Sequence, residues 1–360
     1  MSNNIYCVIM AGGVGRRFWP LSTTHTPKQF LDILGTGKSL IQQTFDRFKP
    51  LCPLSNILVV TNKDHKALVL EQLPELQAEQ VLTEPLRRST APCIAYANAV
   101  IKRKNPNAKI IVTPSDHLIL DEATFRTTIG NGLSFVDGKD TLLTLGIKPS
   151  RPETAYGYIQ AVEQEGLPPG FNKVKTFIEK PDLEMARVLL ESGEFFWNSG
   201  IFIWSLKSIE AAFHKHLREV ATLFDDLIPL LGTPNHDKAL QETYVDCRKI
   251  SIDYGVMEKA NNVFVQIVDF GWSDLGTWTS LHDSAECNSE NNAVLSGQVL
   301  MYDTEDSIVH LPKGKSGVIQ GLKNYIVVQS DDSLLICPKD NEKQIRQFTA
   351  DLTAEFGGDD

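Results

Sequence analysis

The chain has 360 residues, of which 42% are hydrophobic and 22% charged, and its formal net charge is −10 at pH 7. This length suits one large α/β unit with an appendage, or two domains. The acidic balance argues against general affinity for nucleic acids or membrane surfaces, so any anionic ligand requires a local pocket of cations.

The six cysteines are scattered along the chain without a C-x-x-C spacing. This pattern indicates buried thiols in a reducing compartment rather than disulfides or a zinc site. The N-terminus lacks a basic leader, so we expect no signal peptide, and no apolar run approaches the length of a membrane span. We therefore expect a cytoplasmic protein that binds neither membranes nor nucleic acid.

Short apolar runs alternate with helical patterns over the first third of the chain. Buried strands are predicted at residues 5–10, 56–62 and 109–117, and a helix follows each of the first two. Ser39 is expected to cap the first helix, and Ser89 or Thr90 a later one with Pro92 in its first turn. This alternation predicts right-handed βαβ units and a mainly parallel sheet.

The pattern of predicted helices and strands changes after about residue 286. Up to that point four further strands and two helical stretches precede the strand at 262–270. Beyond it, short strands are separated by Gly, Asp and Ser, as in an antiparallel meander or a β-solenoid, and an amphipathic helix follows. We therefore predict a larger α/β domain at residues 1–285 and a small β-rich domain with a terminal helix at 286–360.

The stretch AGGVGRRFWPLS, after the first predicted strand, is rich in glycine and cations. A dinucleotide-binding G-x-G-x-x-G loop is disfavoured because Phe18 stands where the third glycine is needed. The later stretch DILGTGKS approaches a P-loop, but Asp32 replaces its first glycine and would repel phosphate.

A third interpretation remains for this loop. Gly12, Gly13 and Gly15 let backbone N–H groups approach a triphosphate without interference from a Cβ atom. Arg17 and Lys28 add a planar fork of donors and a compact charge. Because parallel strands bind ligands beyond their carboxyl ends, we expect this loop and the later PSDH stretch to share one crevice.

These stretches resemble the sugar-phosphate nucleotidyltransferases. AGGVGRRFWPLS and PKQF are similar to the mannose-1-phosphate guanylyltransferase branch of that family, and further stretches agree with it in order. They are EPLRRSTAPCIAYA, VTPSDH, TAYGYIQ, FIEKPD, FWNSGIFIW, SIDYGVMEKA and FGWSDLGTW. The resemblance implies a Rossmann-like nucleotidyltransferase domain with a mainly parallel mixed sheet, joined to the β-rich C-terminal domain.

The resemblance also implies an enzyme that transfers a guanylyl group from GTP to mannose 1-phosphate with Mg²⁺, giving GDP-mannose and pyrophosphate. The sugar phosphate is itself an anionic nucleophile, so the protein must supply alignment and neutralise charge. Asp116 and Asp274 are the implied metal ligands, since hard carboxylates suit Mg²⁺. Arg17 and Lys28 are assigned to the triphosphate, and Lys180 to the sugar phosphate.

The remaining implied residues fall into two groups. Arg88 and Thr90 are placed near the nucleotide, and Glu84 near guanine, whose N1–H and N2–H₂ groups a carboxylate accepts well. The family commonly has asparagine where this chain has Ser89, which leaves the base contacts open. The sugar-binding candidates are Gly157, Glu179, Asn198 and Asp253.

Two alternatives accompany this interpretation. One keeps the chemistry but changes the sugar 1-phosphate or the base. The other is a catalytically silent subunit that senses nucleotide sugars, although such a protein would be expected to lose the cations and carboxylates that this chain keeps. We also expect a homodimer through the small C-terminal domain. Some relatives carry a cupin-type isomerase domain after the transferase, and at this length we expect no phosphomannose isomerase activity.

Overall fold

The computed structural model describes residues 3–13 and 15–357, which divide into two compact units. The first unit comprises the residues up to Gly12, together with Phe45–Pro114 and Ile119–Trp272. The second comprises Gly13–Thr44, Ser115–Leu118 and the residues from Ser273 onwards. The α/β class, the mixed sheet and the β-rich C-terminal region are confirmed.

The chain forms seventeen strands and ten α-helices within the described residues. The strands are β1 (Ile5–Ala11), β2 (Ile57–Asn62), β3 (Val81–Glu84), β4 (Lys109–Pro114), β5 (Leu118–Ile119), β6 (Leu142–Ile147), β7 (Gly157–Val162), β8 (Phe171–Glu179), β9 (Phe195–Ser205), β10 (Val263–Val268), β11 (Trp272–Ser273), β12 (Ala293–Ser296), β13 (Gln298–Tyr302), β14 (Ile308–His310), β15 (Ser316–Gln320), β16 (Tyr325–Gln329) and β17 (Leu334–Pro338). The α-helices are α1 (Leu40–Phe48), α2 (Lys66–Gln72), α3 (Thr90–Lys104), α4 (Glu122–Phe135), α5 (Leu183–Ser192), α6 (Leu206–His216), α7 (Arg218–Leu227), α8 (His236–Asp246), α9 (Trp278–His282) and α10 (Ile345–Phe356).

Shorter helical turns join these elements. The 3₁₀ turns are Arg16–Phe18, Lys28–Phe30, Leu54–Asn56, Lys63–His65, Ala78–Gln80, Ile228–Leu230 and Lys339–Gln344. A π-helical turn spans Asp253–Met257. Turns of the π type are rare and often occur at functional sites.

The first unit is built on a nine-stranded mixed sheet in the order β3-β2-β1-β4-β9-β6-β10-β8-β7. β1 pairs in parallel with β2 and β4, as the apolar runs in these segments predict, and β2 pairs in parallel with β3, a strand that the sequence analysis did not predict. β9 runs antiparallel to β4 and β6. Ala11 lies opposite Thr61, Met10 opposite Pro114, and Asn62 opposite Glu84. The ends of β1, β3 and β4 therefore lie along one edge of the sheet.

The C-terminal strands of the second unit form a β-solenoid. β12, β14 and β16 pair in parallel on one face, β13 and β15 pair in parallel on another, and β17 closes the first face in antiparallel orientation. Of the two arrangements predicted from the sequence, the solenoid is therefore the one that forms up to β16. Ile308 of β14 and Ile326 of β16 lie opposite each other and are buried in its core.

The core of the second unit also includes residues that are distant in sequence. Phe18, from the glycine loop, packs on Trp278 with ring centroids 5.0 Å apart, and both belong to one buried cluster with Ile308 and Ile326. The sequence division after residue 285 assigned the glycine loop to the first domain. The structure instead groups residues 13–44, 115–118 and 273–285 with the C-terminal segment, because their apolar side chains are buried with it.

The described residues contain neither a candidate membrane span nor a disulfide. In the part of the chain that the structure describes, no helix combines the length and the apolar character needed to cross a membrane. All six cysteines lie in this part, and each is a free thiol.

The packing of Phe18 makes a stability prediction. Phe18→Ala removes a fully buried ring from the second unit's core, so we expect the free energy of unfolding to fall by about 3–5 kcal/mol. The matched control is Phe356→Ala, whose ring is 81% exposed, and there we expect a change within about 0.5 kcal/mol. Denaturant titration followed by circular dichroism measures both. Equal effects of the two substitutions would contradict the assignment of the glycine loop to this core.

Candidate functional site

The site of the second unit is centred on a buried lysine. The Lys28 side chain is only 6% exposed, and its Nζ lies 2.7 Å from Oδ2 of Asp116. The same ammonium donates to the backbone carbonyls of Asp274 and Leu275, each at 2.9 Å. The three N–H bonds thus have three acceptors, so one side chain joins two segments that the sequence had assigned to a metal.

Local backbone geometry brings Lys28 to this position. Pro27 precedes the 3₁₀ turn Lys28–Phe30, and Gln29 donates from Nε2 to the carbonyl of Gly13 at 2.9 Å. Gly15 has φ = 67°, and a Cβ there would lie 2.5 Å from Cβ of Lys28. The glycine is therefore required both by its left-handed conformation and by the close passage of the lysine segment.

The carboxylates of Asp116 and Asp274 have different environments. Burial would raise the pKa of Asp116, but the Lys28 ammonium opposes this effect and holds the pKa below its ordinary value. Asp116 is therefore an anion whose side chain is 29% exposed. Asp274 accepts from the Gly276 N–H at Oδ1 over 2.8 Å, which fixes the turn that carries it. Leu275, between Asp274 and Gly276, has φ = 44°, an uncommon conformation for a residue other than glycine.

This donor set suits a hard divalent cation with few protein ligands. Within the described residues no group of three or more His, Cys, Asp or Glu side chains could hold a metal ion. Two carboxylates completed by phosphate oxygens and water are, however, the usual protein contribution to a Mg²⁺ site. Asp116 and Asp274 would hold such an ion.

The other cation of the glycine loop is less constrained. Arg17 lies in the 3₁₀ turn Arg16–Phe18 and is half-buried. Among the described residues its guanidinium forms no ion pair or hydrogen bond. Its donors thus remain available to an anionic ligand.

The first unit holds the predicted base carboxylate at the end of β3. Glu84 is buried, and its Oε1 accepts from the Tyr244 hydroxyl at 3.1 Å. Burial raises the pKa of Glu84 to about 7, against the lowering effects of Tyr244 and Arg87. A Cβ at Gly12 would lie 3.5 Å from Oε2 of Glu84, so the first glycine of the loop borders this carboxylate.

Arg88 and Thr90 are engaged with the protein backbone. Arg88 donates from Nε to the carbonyl of Tyr244 at 2.8 Å and from Nη2 to that of Val245 at 3.0 Å, which places a cation at the last turn of α8. The Thr90 hydroxyl accepts from the Ile252 N–H at 2.8 Å. Ser89 precedes α3 with φ = 72° and caps it without a side-chain hydrogen bond.

The predicted sugar-binding residues form one cluster in the first unit. Lys180 pairs with Glu179, whose side chain is 7% exposed while that of Lys180 is 60% exposed. A Cβ at Gly157 would lie 2.5 Å from Oε2 of Glu179, so the glycine makes room for this carboxylate. Lys180 has φ = 51°. Such strained residues persist where the surrounding structure fixes them, and they concentrate at functional sites.

Asn198 and Asp253 complete this cluster. Asn198 donates from Nδ2 to Oδ1 of Asp253 at 2.9 Å, and its own Oδ1 accepts from the Thr144 hydroxyl at 2.9 Å. The Gly200 N–H also donates to this Oδ1 at 3.2 Å, and because a backbone N–H can only donate, it fixes which end of the amide faces the aspartate. Burial and the charge of Glu179 raise the pKa of Asp253 to about 7. The π-helical turn Asp253–Met257 carries this carboxyl group.

The structure thus gathers the predicted residues into three local groups. The Asp116 carboxylate and the Asp274 carbonyl contact the Lys28 ammonium, Glu84 borders Gly12, and the four sugar-binding candidates adjoin Lys180. Sequence reasoning missed Tyr244 and Thr144. Thr144 is a hydroxyl residue inside an otherwise apolar strand, which could have marked it, whereas Tyr244 lies in a helix with no distinguishing motif.

A family model described as nucleotidyl transferase matches residues 6–291. The chain is 35% identical to the alginate biosynthesis protein AlgA of Pseudomonas aeruginosa over 97% of this chain and 72% of that protein. It is 34% identical to a mannose-1-phosphate guanylyltransferase of Escherichia coli over 98% of this chain and 74% of that protein.

A solved structure from Thermus thermophilus, described as a mannose-1-phosphate geranyltransferase, matches with a TM-score of 0.86 and 32% identity. The match covers 97% of this chain and 99% of that chain. The family match extends over most of the sequence, including every residue of the three groups above. This chain belongs to the nucleotidyl transferase family.

Proposed function

We propose that the chain transfers a guanylyl group from GTP to mannose 1-phosphate, giving GDP-mannose and pyrophosphate. One observation carries the proposal: Lys28 holds Asp116 as an anion and also binds the turn that contains Asp274. The carboxylates of these two residues suit a cation that binds phosphates. The names of the E. coli relative and of the Thermus protein support mannose 1-phosphate as the acceptor. Glu84 supports guanine as the base.

The proposed reaction needs no nucleophile from the protein. The phosphate of the sugar attacks the α-phosphorus of GTP, and the α–β bridging oxygen leaves with pyrophosphate. The protein aligns the two anions and neutralises their charge. Mg²⁺, bound by Asp116 and Asp274, would supply positive charge at the phosphate oxygens.

The nucleotide residues take distinct roles in this proposal. Arg17 offers its uncommitted guanidinium to the triphosphate, beside the backbone N–H groups of Gly12, Gly13 and Gly15. Glu84, when ionised, accepts from guanine N1–H and N2–H₂. We revise one expectation: Lys28 acts by holding Asp116 and the Asp274 turn, since its three donors are engaged there. Arg88 and Thr90 act by fixing the loop after Glu84.

At the sugar end, the exposed ammonium of Lys180 screens the approaching sugar phosphate. Glu179, Asn198 and Asp253 offer carboxylate and amide groups to the hydroxyls of the sugar. Gly157 leaves the space that Glu179 occupies.

We also propose a cytoplasmic homodimer. The six free thiols support a reducing compartment. On the solenoid, Leu300 of β13 lies opposite Val318 of β15, and these side chains are 60% and 69% exposed. A second copy of the chain would cover this apolar face.

A substrate panel tests the proposed function. Pyrophosphate release is measured with GTP, ATP, UTP and dTTP, each paired with mannose 1-phosphate and glucose 1-phosphate. We expect GTP with mannose 1-phosphate to give the highest kcat/KM. A higher value for another pair would assign the same chemistry to another substrate, and no release with any pair would favour the silent sensor.

The carboxylate that Lys28 holds makes a prediction for catalysis. We expect Asp116→Asn to lower kcat by at least about a hundredfold, because a neutral amide neither attracts a divalent cation nor pairs with the ammonium. It also leaves a buried ammonium without a counter-charge, so thermal stability falls as well. The control is Asp121→Asn, at the exposed N-cap of α4, which should keep near-normal pyrophosphate release at saturating Mg²⁺. Activity of Asp116→Asn within threefold of wild type would remove the metal assignment.

Lys180 makes a prediction for substrate selectivity. We expect Lys180→Ala to raise the KM for mannose 1-phosphate by about tenfold or more, with a much smaller change in the KM for GTP, because only the sugar phosphate meets this ammonium. Lys175→Ala, on the exposed part of β8, is the matched control. Steady-state kinetics with each substrate varied in turn measures the split. Equal losses for both substrates would show that the lysine has another role.

Glu84 makes a prediction for pH dependence. Its pKa of about 7 lies above the ordinary value, so the carboxyl group gains a proton as the pH falls through 7. The protonated group loses an acceptor for guanine, and we expect the KM for GTP to rise by up to about tenfold per pH unit below 7. Glu84→Gln should remove this dependence, whereas Asp253→Asn should keep it. If the KM for GTP of Glu84→Gln kept the pH dependence of the wild type, Glu84 would not be the residue that recognises the base.

A further inference from the structure

The first unit has a cavity whose lining includes none of the residues assigned above. It has a volume of about 550 Å³ and is lined by β3, the C-terminal part of α3 and the N-terminal part of α8. Arg103 and Lys104, at its mouth, end the same helix that Thr90 begins. Lys104 lies fourteen positions after Thr90 in this helix, which corresponds to about 20 Å.

The lining combines an apolar floor with a charged rim. Val81, Leu82, Val100 and Leu240 form apolar parts of the wall. The rim carries the cations Lys66, Arg103 and Lys104 and the carboxylates Glu79 and Asp237. Among the described residues, the side-chain ammonium groups of Lys66 and Lys104 form no ion pair or hydrogen bond, while Arg103 donates to the Leu231 carbonyl.

This combination fits one class of ligand. A planar base suits an apolar floor, phosphate suits the three cations, and ribose hydroxyls suit the two carboxylates. The volume lies in the range of small-molecule sites, about 300–1,000 Å³. An apolar ligand would form no ion pair with the three cations, and inorganic phosphate would not cover the apolar floor.

Helix α8 connects this cavity to the predicted base site. At its first residue, His236 lines the cavity, and its Nε2 lies 3.3 Å from the hydroxyl of Tyr96, which also lines it. Near its last turn, α8 carries Tyr244, which binds Glu84, and the carbonyls that accept from Arg88. The rings of Tyr96 and Tyr244 meet edge to face at 6.3 Å. A ligand that displaces His236 or Tyr96 would therefore affect Glu84 indirectly, through the buried rings of Tyr96 and Tyr244 and through helix α8.

We propose that this cavity is a second binding site for a nucleoside phosphate, and that its occupant changes GTP affinity through α8. The binding itself is independent of the proposed reaction, whereas the effect on GTP rests on the proposed function. The coupling is thermodynamic, so GTP must change the affinity of the cavity for its ligand by the same factor.

Direct binding tests the site. Calorimetric titrations with AMP and with GMP are made on wild type, Lys104→Glu, Glu84→Gln and the control Lys238→Glu. Lys238 lies on α8 outside the cavity, with an 80% exposed side chain, so its substitution makes the same charge change elsewhere. We expect a binding event that Lys104→Glu weakens by about tenfold or more, and that Glu84→Gln and Lys238→Glu leave within about twofold.

The outcomes separate the cavity from the predicted nucleotide site. Binding that Glu84→Gln removes and Lys104→Glu preserves would belong to the Glu84 site, and it would overturn the cavity as a ligand site. Absence of any Lys104-sensitive binding of either nucleotide would overturn it as well. Loss in Lys104→Glu and Lys238→Glu alike would show only a general charge effect and would also refute it.

Kinetics tests the coupling. With AMP present, we expect the KM for GTP to change by at least about threefold in wild type and to stay constant in Lys104→Glu. Lys104-sensitive binding with no change in KM would refute the coupling and retain the site. If the chain shows no guanylyltransferase activity, the calorimetric result still decides whether the cavity binds, so the two proposals fail separately.

Discussion

The buried ammonium of Lys28 is the interaction on which the second unit's site depends. It lies within hydrogen-bonding distance of the Asp116 carboxylate and of two carbonyls in the Asp274–Leu275 turn. A buried charge without partners would be strongly unfavourable, so these acceptors stabilise the lysine as much as the lysine positions them. The consequence for Asp116 is electrostatic: it stays ionised despite its partial burial, which is the state that a cation-binding carboxylate requires.

The first unit shows the opposite electrostatic arrangement. Glu84 and Asp253 are carboxyl groups without a strong cationic partner, and burial raises the pKa of each to about 7. Both are held by neutral donors, the Tyr244 hydroxyl and the Asn198 amide. Carboxyl groups with such raised pKa values can accept or donate a proton near neutral pH.

Backbone strain accompanies the candidate residues in both units. Ser89, Lys180 and Leu275 adopt positive φ although none is a glycine, and each adjoins a predicted site residue or is one. Ser89 combines φ = 72° with ψ = −170°, a backbone region that residues other than glycine rarely adopt.

Local patterns in the sequence were sufficient to predict much of this protein. Apolar runs predicted β1, β2 and β4, since buried parallel strands need continuous hydrophobic segments, and the resemblance of the ordered motifs to the nucleotidyltransferases is what proposed the residues of each group. Local patterns could not predict which distant segments pack together. The burial of Phe18 with Trp278 and Ile326, the pairing of Lys28 with Asp116, and the contact of Tyr244 with Glu84 join residues tens to hundreds of positions apart. Residue type and spacing determined what chemistry each segment could offer. Which side chains share a partner was decided only by the tertiary structure, because the burial of a side chain and the charge around it depend on neighbours that the linear chain does not specify.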